Sequence, residues 1–379
     1  MVKDLSAVKV STARAGWLAR SLVMLCALGC GSGWAASVVF LSPGPASDGY
    51  WNSYARVMQA AADATGMALR VEFSDRDTRT QVDLARQTLK GDQRPDYLVF
   101  SNELNVAPEI LRLAEGSGVK LLLVNNTLSL DQRRILGDLS QRYPDLLGSL
   151  LGNDEQGGYL TAKRLIKQLG PLAPGQSVDM LAFSGTNATP VSLLREKGMR
   201  RAVAEHPEVN LRQVVLGVWR RDRALEQART LFKRYPDTRL VWAANEQMAY
   251  GAMDALAEIG GVAGRDVLFS AINGTPESLQ ALLDGRLSAV ASGHFTLGGW
   301  ALVLLSDYDR QRVGGPMPLG EREIDVLQLV EPGETVRLLE AARGDSYRVD
   351  PQVFTRPATP GDSPFALRHM LPASQAPTK

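Results

Sequence analysis

Cysteine is almost absent from this chain. Among 379 residues only Cys26 and Cys30 occur, both close to the N-terminus. The remainder therefore offers no disulfide framework and no thiol nucleophile. Histidine is nearly as scarce, at 3 residues, so a His-based metal site has little material. No excess of charge stands out: the formal net charge is +1, which supplies no basic field for nucleic acid. Long hydrophobic runs are missing too, since none reaches the ~18 apolar residues of a membrane helix. The Gly-rich stretch Gly152 to Gly158 has neither Walker nor GxGxxG spacing, so no dinucleotide cofactor is expected. A Gly-x-Ser-x-Gly elbow and a His-Glu-x-x-His motif are both lacking, which argues against a hydrolase.

What remains is ordinary globular material, 45% hydrophobic and 22% charged, long enough for two domains. Residues 1–36 read as a signal peptide. Lys3, Lys9, Arg14 and Arg20 precede the short apolar run Leu22–Leu28, and Gly33-Trp34-Ala35 fits a small-residue cleavage site. Periplasmic location follows from that reading. Retention of the segment as an anchor is one alternative. Lipidation at Cys30 is another, because Ala27-Leu28-Gly29-Cys30 partly matches a lipoprotein box.

Further on, strand-like and helix-like patterns alternate. Val38–Leu41, Leu69–Phe73, Tyr97–Phe100, Lys120–Val124, Val178–Phe183, Val214–Leu216, Leu240–Ala243, Val267–Ala271 and Ala289–Ala291 suit buried parallel strands. Between them, sets such as Tyr54, Val57, Met58, Ala61 and Ala62, or Trp300, Ala301, Leu304, Leu305 and Tyr308, fall on single helical faces. The alternation predicts an α/β fold with doubly wound parallel sheets. Seams near Leu151–Asn153, Ser292–His294 and Ile324–Leu327 break the series and predict two lobes joined by three crossings. From Ser346 the chain turns Pro- and Ser-rich, so residues 346–379 read as a tail on the surface or disordered.

Two strand-to-helix units between Val241 and Val290 each place an asparagine at a strand's carboxyl end, Asn245 and then Asn273. In open α/β sheets that edge is where small ligands bind. Asn245 also suits a helix N-cap, and the two roles are compatible. Asp154 is expected to cap the helix opening at Glu155.

Six segments in register carry a resemblance. They are Asp48-Gly49-Tyr50-Trp51, Gly152 to Gly158, Leu194 to Gly198, Trp219-Arg220-Arg221, Asn245 to Ala252 and Ile272 to Glu277. Together they resemble the type I periplasmic binding proteins, the sugar-binding branch of ABC-transporter receptors. The resemblance implies two Rossmann-like lobes: 37–152 plus 294–325, and 153–293 plus 326–345. Tyr97–Phe100 and Lys120–Asn125 are also similar to the periplasmic autoinducer-2 receptors, which signal to a sensor kinase. The implied partners are a small sugar-like ligand and either a transporter permease or a sensor kinase, with the protein a monomer.

The resemblance also implies a ligand-binding set. Tyr50, Trp51 and Trp219 would stack on a sugar ring, whose C–H faces pack against aromatic faces. Arg195 would donate a fork of hydrogen bonds. Ser101, Asn102, Asn125, Asn126, Asn245 and Asn273 would meet hydroxyls. Asn125 and Asn273 stand where the family commonly has Asp, and Asn126 where Arg is common, so an ordinary pentose is not the expected ligand. His294 falls at a hinge seam and reads as structural or as a titrating contact.

Overall fold

The computed structural model describes residues 35–310, 319–344, 346–352 and 365–371. The signal-peptide reading falls on residues outside that set, apart from its last positions. From Ala36 onward the described chain is one compact unit built around two sheets.

The first part of the chain runs β1 (Ser37–Ser42), α1 (Gly49–Thr65), β2 (Ala68–Phe73), α2 (Thr78–Lys90), β3 (Tyr97–Phe100), α3 (Ala107–Ala114) and β4 (Lys120–Val124). Two short helices, α4 (Leu130–Leu136) and α5 (Leu139–Arg142), lead into β5 (Leu146–Gly152). The second part runs α6 (Asp154–Lys167), β6 (Val178–Ser184), α7 (Pro190–Ala204), β7 (Val209–Leu216), α8 (Arg221–Arg234) and β8 (Thr238–Ala243). It continues through α9 (Glu246–Glu258), β9 (Leu268–Ile272), α10 (Pro276–Leu283) and β10 (Ala289–Ser292). The chain then forms α11 (Leu297–Arg310), β11 (Gly320–Ile324), β12 (Gln328–Leu329) and α12 (Pro332–Arg343).

One sheet has the order β11-β5-β4-β3-β1-β2 and is parallel throughout. The other has the order β12-β10-β9-β8-β6-β7, parallel except for the antiparallel edge strand β12. Each sheet reverses direction of winding once, between β3 and β1 and between β8 and β6. At such switch points the loops beyond the strand ends diverge and leave a crevice. The central strands are buried on both faces: Tyr97, Leu98, Val99 and Phe100 are each 0% exposed. That is why they read as unbroken apolar runs instead of alternating ones.

Local chemistry fixes the helix starts. Asp48 caps α1, its carboxylate accepting from the Tyr50 and Trp51 amides, and Gly66 closes the helix in the left-handed region at φ 75°. The apolar face Tyr54, Val57, Met58, Ala61, Ala62 is fully buried, chiefly against α11. Close approach requires glycine where α6 crosses α7. A Cβ on Gly158 would lie 2.0 Å from the Arg195 carbonyl oxygen, and one on Gly198 1.9 Å from that of Glu155.

Three strands of chain pass between the two sheets, at Gly152–Asp154, Ser292–His294 and Ile324–Gln328. Asn153 ties the first to the third. Its amide donates to the Ile324 carbonyl at 3.1 Å, and its side-chain oxygen accepts from the Leu327 amide at 2.9 Å. Asn153 has no capping bond to α6, and Asp154 is the first residue of that helix. The expectation that Asp154 caps a helix opening at Glu155 is therefore wrong: its carboxylate faces Arg195 instead.

The C-terminal stretch expected to lie on the surface or be disordered is packed against the body at its described residues. Tyr347, Val349, Met370 and Leu371 are buried, and the Arg348 amide donates to the Met370 carbonyl at 3.1 Å. The Tyr347 ring sits 5.5 Å from Phe295, with the Arg56 guanidinium 5.9 Å above it. Phe365 meets Trp300 edge-on at 5.6 Å. After α12 the chain thus returns to the α1–α11 face. Counting polar residues hid these aromatic and aliphatic anchors. No described helix is long and apolar enough to cross a membrane.

Candidate functional site

The carboxyl ends of the two sheets face each other across a cleft holding about 520 Å³ of space unfilled by protein, part of it open to solvent. One wall brings Asp48, Tyr50, Trp51, Arg76, Glu103, Asn125 and Asn126. The other brings Val191, Arg195, Trp219, Asn245, Glu246, Gln247 and Asn273, with His294 at the hinge.

The aromatic residues are held firmly. The Tyr50 hydroxyl donates to Asn125 Oδ1 at 3.1 Å, and its ring stacks on the His294 imidazole at 4.6 Å and 21°. Burial holds that phenol far above its ordinary value, so it stays protonated. Trp51 leans on Tyr50, Tyr54 and Phe40. Trp219 sits on a strained turn: Val218 and Trp219 both occupy the left-handed region, at φ 47° and 65°. Such strain persists where surroundings over-determine it, commonly at binding sites. Here Asn245 Nδ2 donates to the Trp219 carbonyl at 3.2 Å, and Gly185 leaves room for the indole, since a Cβ there would lie 2.2 Å from it.

Polar residues divide into committed and available ones. Arg195, 3% exposed, donates through Nε to Asp154 at 2.7 Å and through Nη1 to the Ala244 carbonyl at 2.8 Å. Its guanidinium also lies 5.8 Å over the Trp219 ring. Asn245 caps α9, accepting from the Met248 amide at 3.0 Å. Asn126 reaches across the cleft, its Oδ1 accepting from the Val191 amide at 3.1 Å. That bond makes the present state one with the walls clasped. Asn125 and Asn273 adopt positive φ, 65° and 123°, which turns their side chains at the strand ends.

Ser101 and Asn102 do not reach the cavity. Both are 0% exposed. Asn102 is spent on the Thr127 carbonyl, Gln132 and the Ala107 amide, and Ser101 backs Asn126. They brace the strand end that carries the cleft and do not line it. The other eight expected residues, Tyr50, Trp51, Asn125, Asn126, Arg195, Trp219, Asn245 and Asn273, come together there.

Sequence reasoning left Glu246 out of the ligand-binding set. It is 2% exposed, one carboxyl oxygen has no hydrogen-bond partner in the protein, and burial pushes its carboxyl up to about 8. Its place directly after the Asn245 cap was the available signal. His294 is likewise 2% exposed with neither ring nitrogen partnered, and burial drives it well below the ordinary imidazole range, so it is neutral. Among the described residues no cluster of His, Cys, Asp and Glu could hold a metal ion.

The model of the periplasmic binding protein domain matches residues 38–310. The chain belongs to that family. It is similar to a solved periplasmic sugar-binding protein from Pseudomonas fluorescens, with 45% identity, TM-score 0.77, and coverage of 88% of this chain and 99% of that one. The galactofuranose-binding protein YtfQ of Escherichia coli is 21% identical over 69% of this chain and 78% of its own length. The ribose import binding protein RbsB of Salmonella typhimurium is 25% identical over 51% of this chain and 67% of its own. These relatives are binding proteins, and periplasmic location and sugar transport are attributes of the family.

Proposed function

We propose that this protein captures a small sugar in the periplasm, closes on it, and delivers it to the permease of an ABC transporter. The observation that carries the reading is the cleft itself. It sets the aromatic side chains of Tyr50, Trp51 and Trp219 beside the amides of Asn125, Asn245 and Asn273. Aromatic faces suit sugar C–H surfaces, and amides both donate to and accept from hydroxyls. Such groups bind well and catalyse poorly, which favours a receptor over an enzyme.

Ligand contacts from both walls would favour the clasped form, because only differential affinity shifts such an equilibrium. Asn153, bridging two hinge strands, would act as the pivot. Tyr50, Trp51 and Trp219 would grip the ring. The permease is favoured over a sensor kinase as partner because the named relatives include a sugar import protein. A monomer delivered through a cleaved signal peptide completes the reading.

The experiment is calorimetric titration of the purified protein against pentoses, hexoses and cyclitols. Saturable binding of one sugar per chain, with a fall in radius of gyration, is the expected result. Failure of every sugar to bind would overturn it.

A further inference from the structure

The acidic groups of the cleft outnumber the basic ones. Both arginines that line it are committed: Arg76 donates to Asp48 at 2.6 Å and Arg195 to Asp154 at 2.7 Å. Against these two guanidiniums stand four carboxyls, namely Asp48, Glu103 and Glu246 on the cavity wall and Asp154 behind Arg195. Glu103 and Glu246 are left without an ion-pair partner, but Glu103 accepts from Asn126 Nδ2 at 3.3 Å, whereas Glu246 keeps an unpartnered oxygen. Glu246 is 2% exposed, and its Oε2 has no hydrogen-bond partner in the protein.

The groups facing Glu246 explain why it is unsatisfied. Desolvation weighs most, Asp48 adds like charge, and the Asn273 side chain and Arg195 relieve only part of the penalty. Tyr250, on the same helix, is a phenol that burial keeps protonated, so it brings no positive charge. His294 cannot supply the missing positive charge, because its buried ring is neutral. Its unpartnered nitrogens leave an acceptor on the same cavity wall. Tyr50, Trp51 and Trp219 line the same cavity, and aromatic rings attract a cation. An anionic ligand would find no free cation in the cleft, and a neutral hydroxyl would partner Glu246 Oε2 without giving its ionised form a counter-charge. An ammonium group would complete the site.

We propose that the ligand is a sugar or cyclitol bearing a basic amino group, with Glu246 as its counter-ion in the cleft. This inference rests on the sugar-binding reading above and narrows it. In the free protein near neutrality Glu246 holds its proton, and seating an ammonium against it releases that proton.

The test is calorimetry of the full chain with D-glucosamine, D-galactosamine and D-mannosamine beside their parent hexoses. Titrations are run at about pH 6.5 in buffers of differing ionisation enthalpy. The expected result is at least one amino sugar binding about tenfold or more tighter than its parent, with heats that show proton release. Glu246→Gln should erase that preference while the variant keeps a folded circular dichroism spectrum. A parent hexose binding as well as or better than its amino derivative, with no proton release, overturns the amino-group inference and leaves the sugar reading standing. The buffer dependence is read on the unmodified protein, so it decides the matter even if the variant misfolds. Failure of every sugar, neutral or amino, removes both the reading and the inference.

Discussion

Glu246→Gln should stabilise the ligand-free protein, and by an amount that grows with pH. The carboxyl has an ordinary value of 4.5 and is pushed up to about 8, chiefly by burial, with Asp48 adding to it. An acid whose folded value lies above its unfolded one binds its proton more tightly when folded. Below the unfolded value both states are protonated and burial of the ionised form costs nothing. Between 4.5 and about 8 the unfolded chain ionises while the folded one resists, so stability falls as pH rises. At ~1.4 kcal/mol per pH unit, the loss reaches about 3 kcal/mol at pH 7 and saturates near 5 kcal/mol above the folded value. A glutamine in the same place does not titrate, although its amide carries its own desolvation cost of about 1–3 kcal/mol. The assay is thermal or urea unfolding of wild type and variant from about pH 4 to 9. The stability difference between them should rise through this range and flatten above about pH 8. Two parallel curves would refute the burial of an unpaired carboxyl at this position.

Other parts of the architecture can be probed in the same way. Gly158→Ala should separate α6 from α7, because its Cβ would meet the Arg195 carbonyl oxygen at 2.0 Å. A destabilisation of about 1–3 kcal/mol and weaker ligand binding are expected from chemical unfolding and titration. Arg195→Ala leaves Asp154 buried without its partner, at 2.7 Å in the present structure. That should cost about 3–5 kcal/mol, and a variant as stable as wild type would show the pair to be dispensable. Truncation after Gly344 removes Tyr347, Val349, Met370 and Leu371 from the α1–α11 face. A melting temperature lower by several degrees is expected, and an unchanged one would mean that the packing contributes nothing.

Much of this could be read from the sequence, for physical reasons. Buried parallel strands such as Tyr97–Phe100 announce themselves as continuous apolar runs, and helices such as α1 by the spacing of Tyr54, Val57, Met58 and Ala61. Strand β11, Gly-Glu-Arg-Glu-Ile, did not. It lies on a sheet edge with four of its five residues exposed, so it carries no hydrophobic signal. Strand β5 was obscured by Gly148 and Gly152, although Leu147 and Leu150 are buried. The cleft residues at strand ends were legible because the strand-to-helix junction is itself a sequence pattern. Ser101 and Asn102 share that pattern yet turn inward, and only side-chain geometry distinguishes them from Asn125. Glu246 was hidden because a carboxylate at a helix start ordinarily signals favourable interaction with the helix dipole and not burial.

Native mass spectrometry of freshly purified protein, set beside its Trp219→Ala variant, tests the central claim most directly. A non-covalent adduct of monosaccharide or amino-monosaccharide mass is expected on the wild type, taken from the cell or from a supplied sugar panel. The adduct should be lost or much reduced in the variant, whose cleft lacks one of its aromatic walls. A wild-type protein that carries no such adduct under either condition would contradict the claim that this cleft is a sugar receptor.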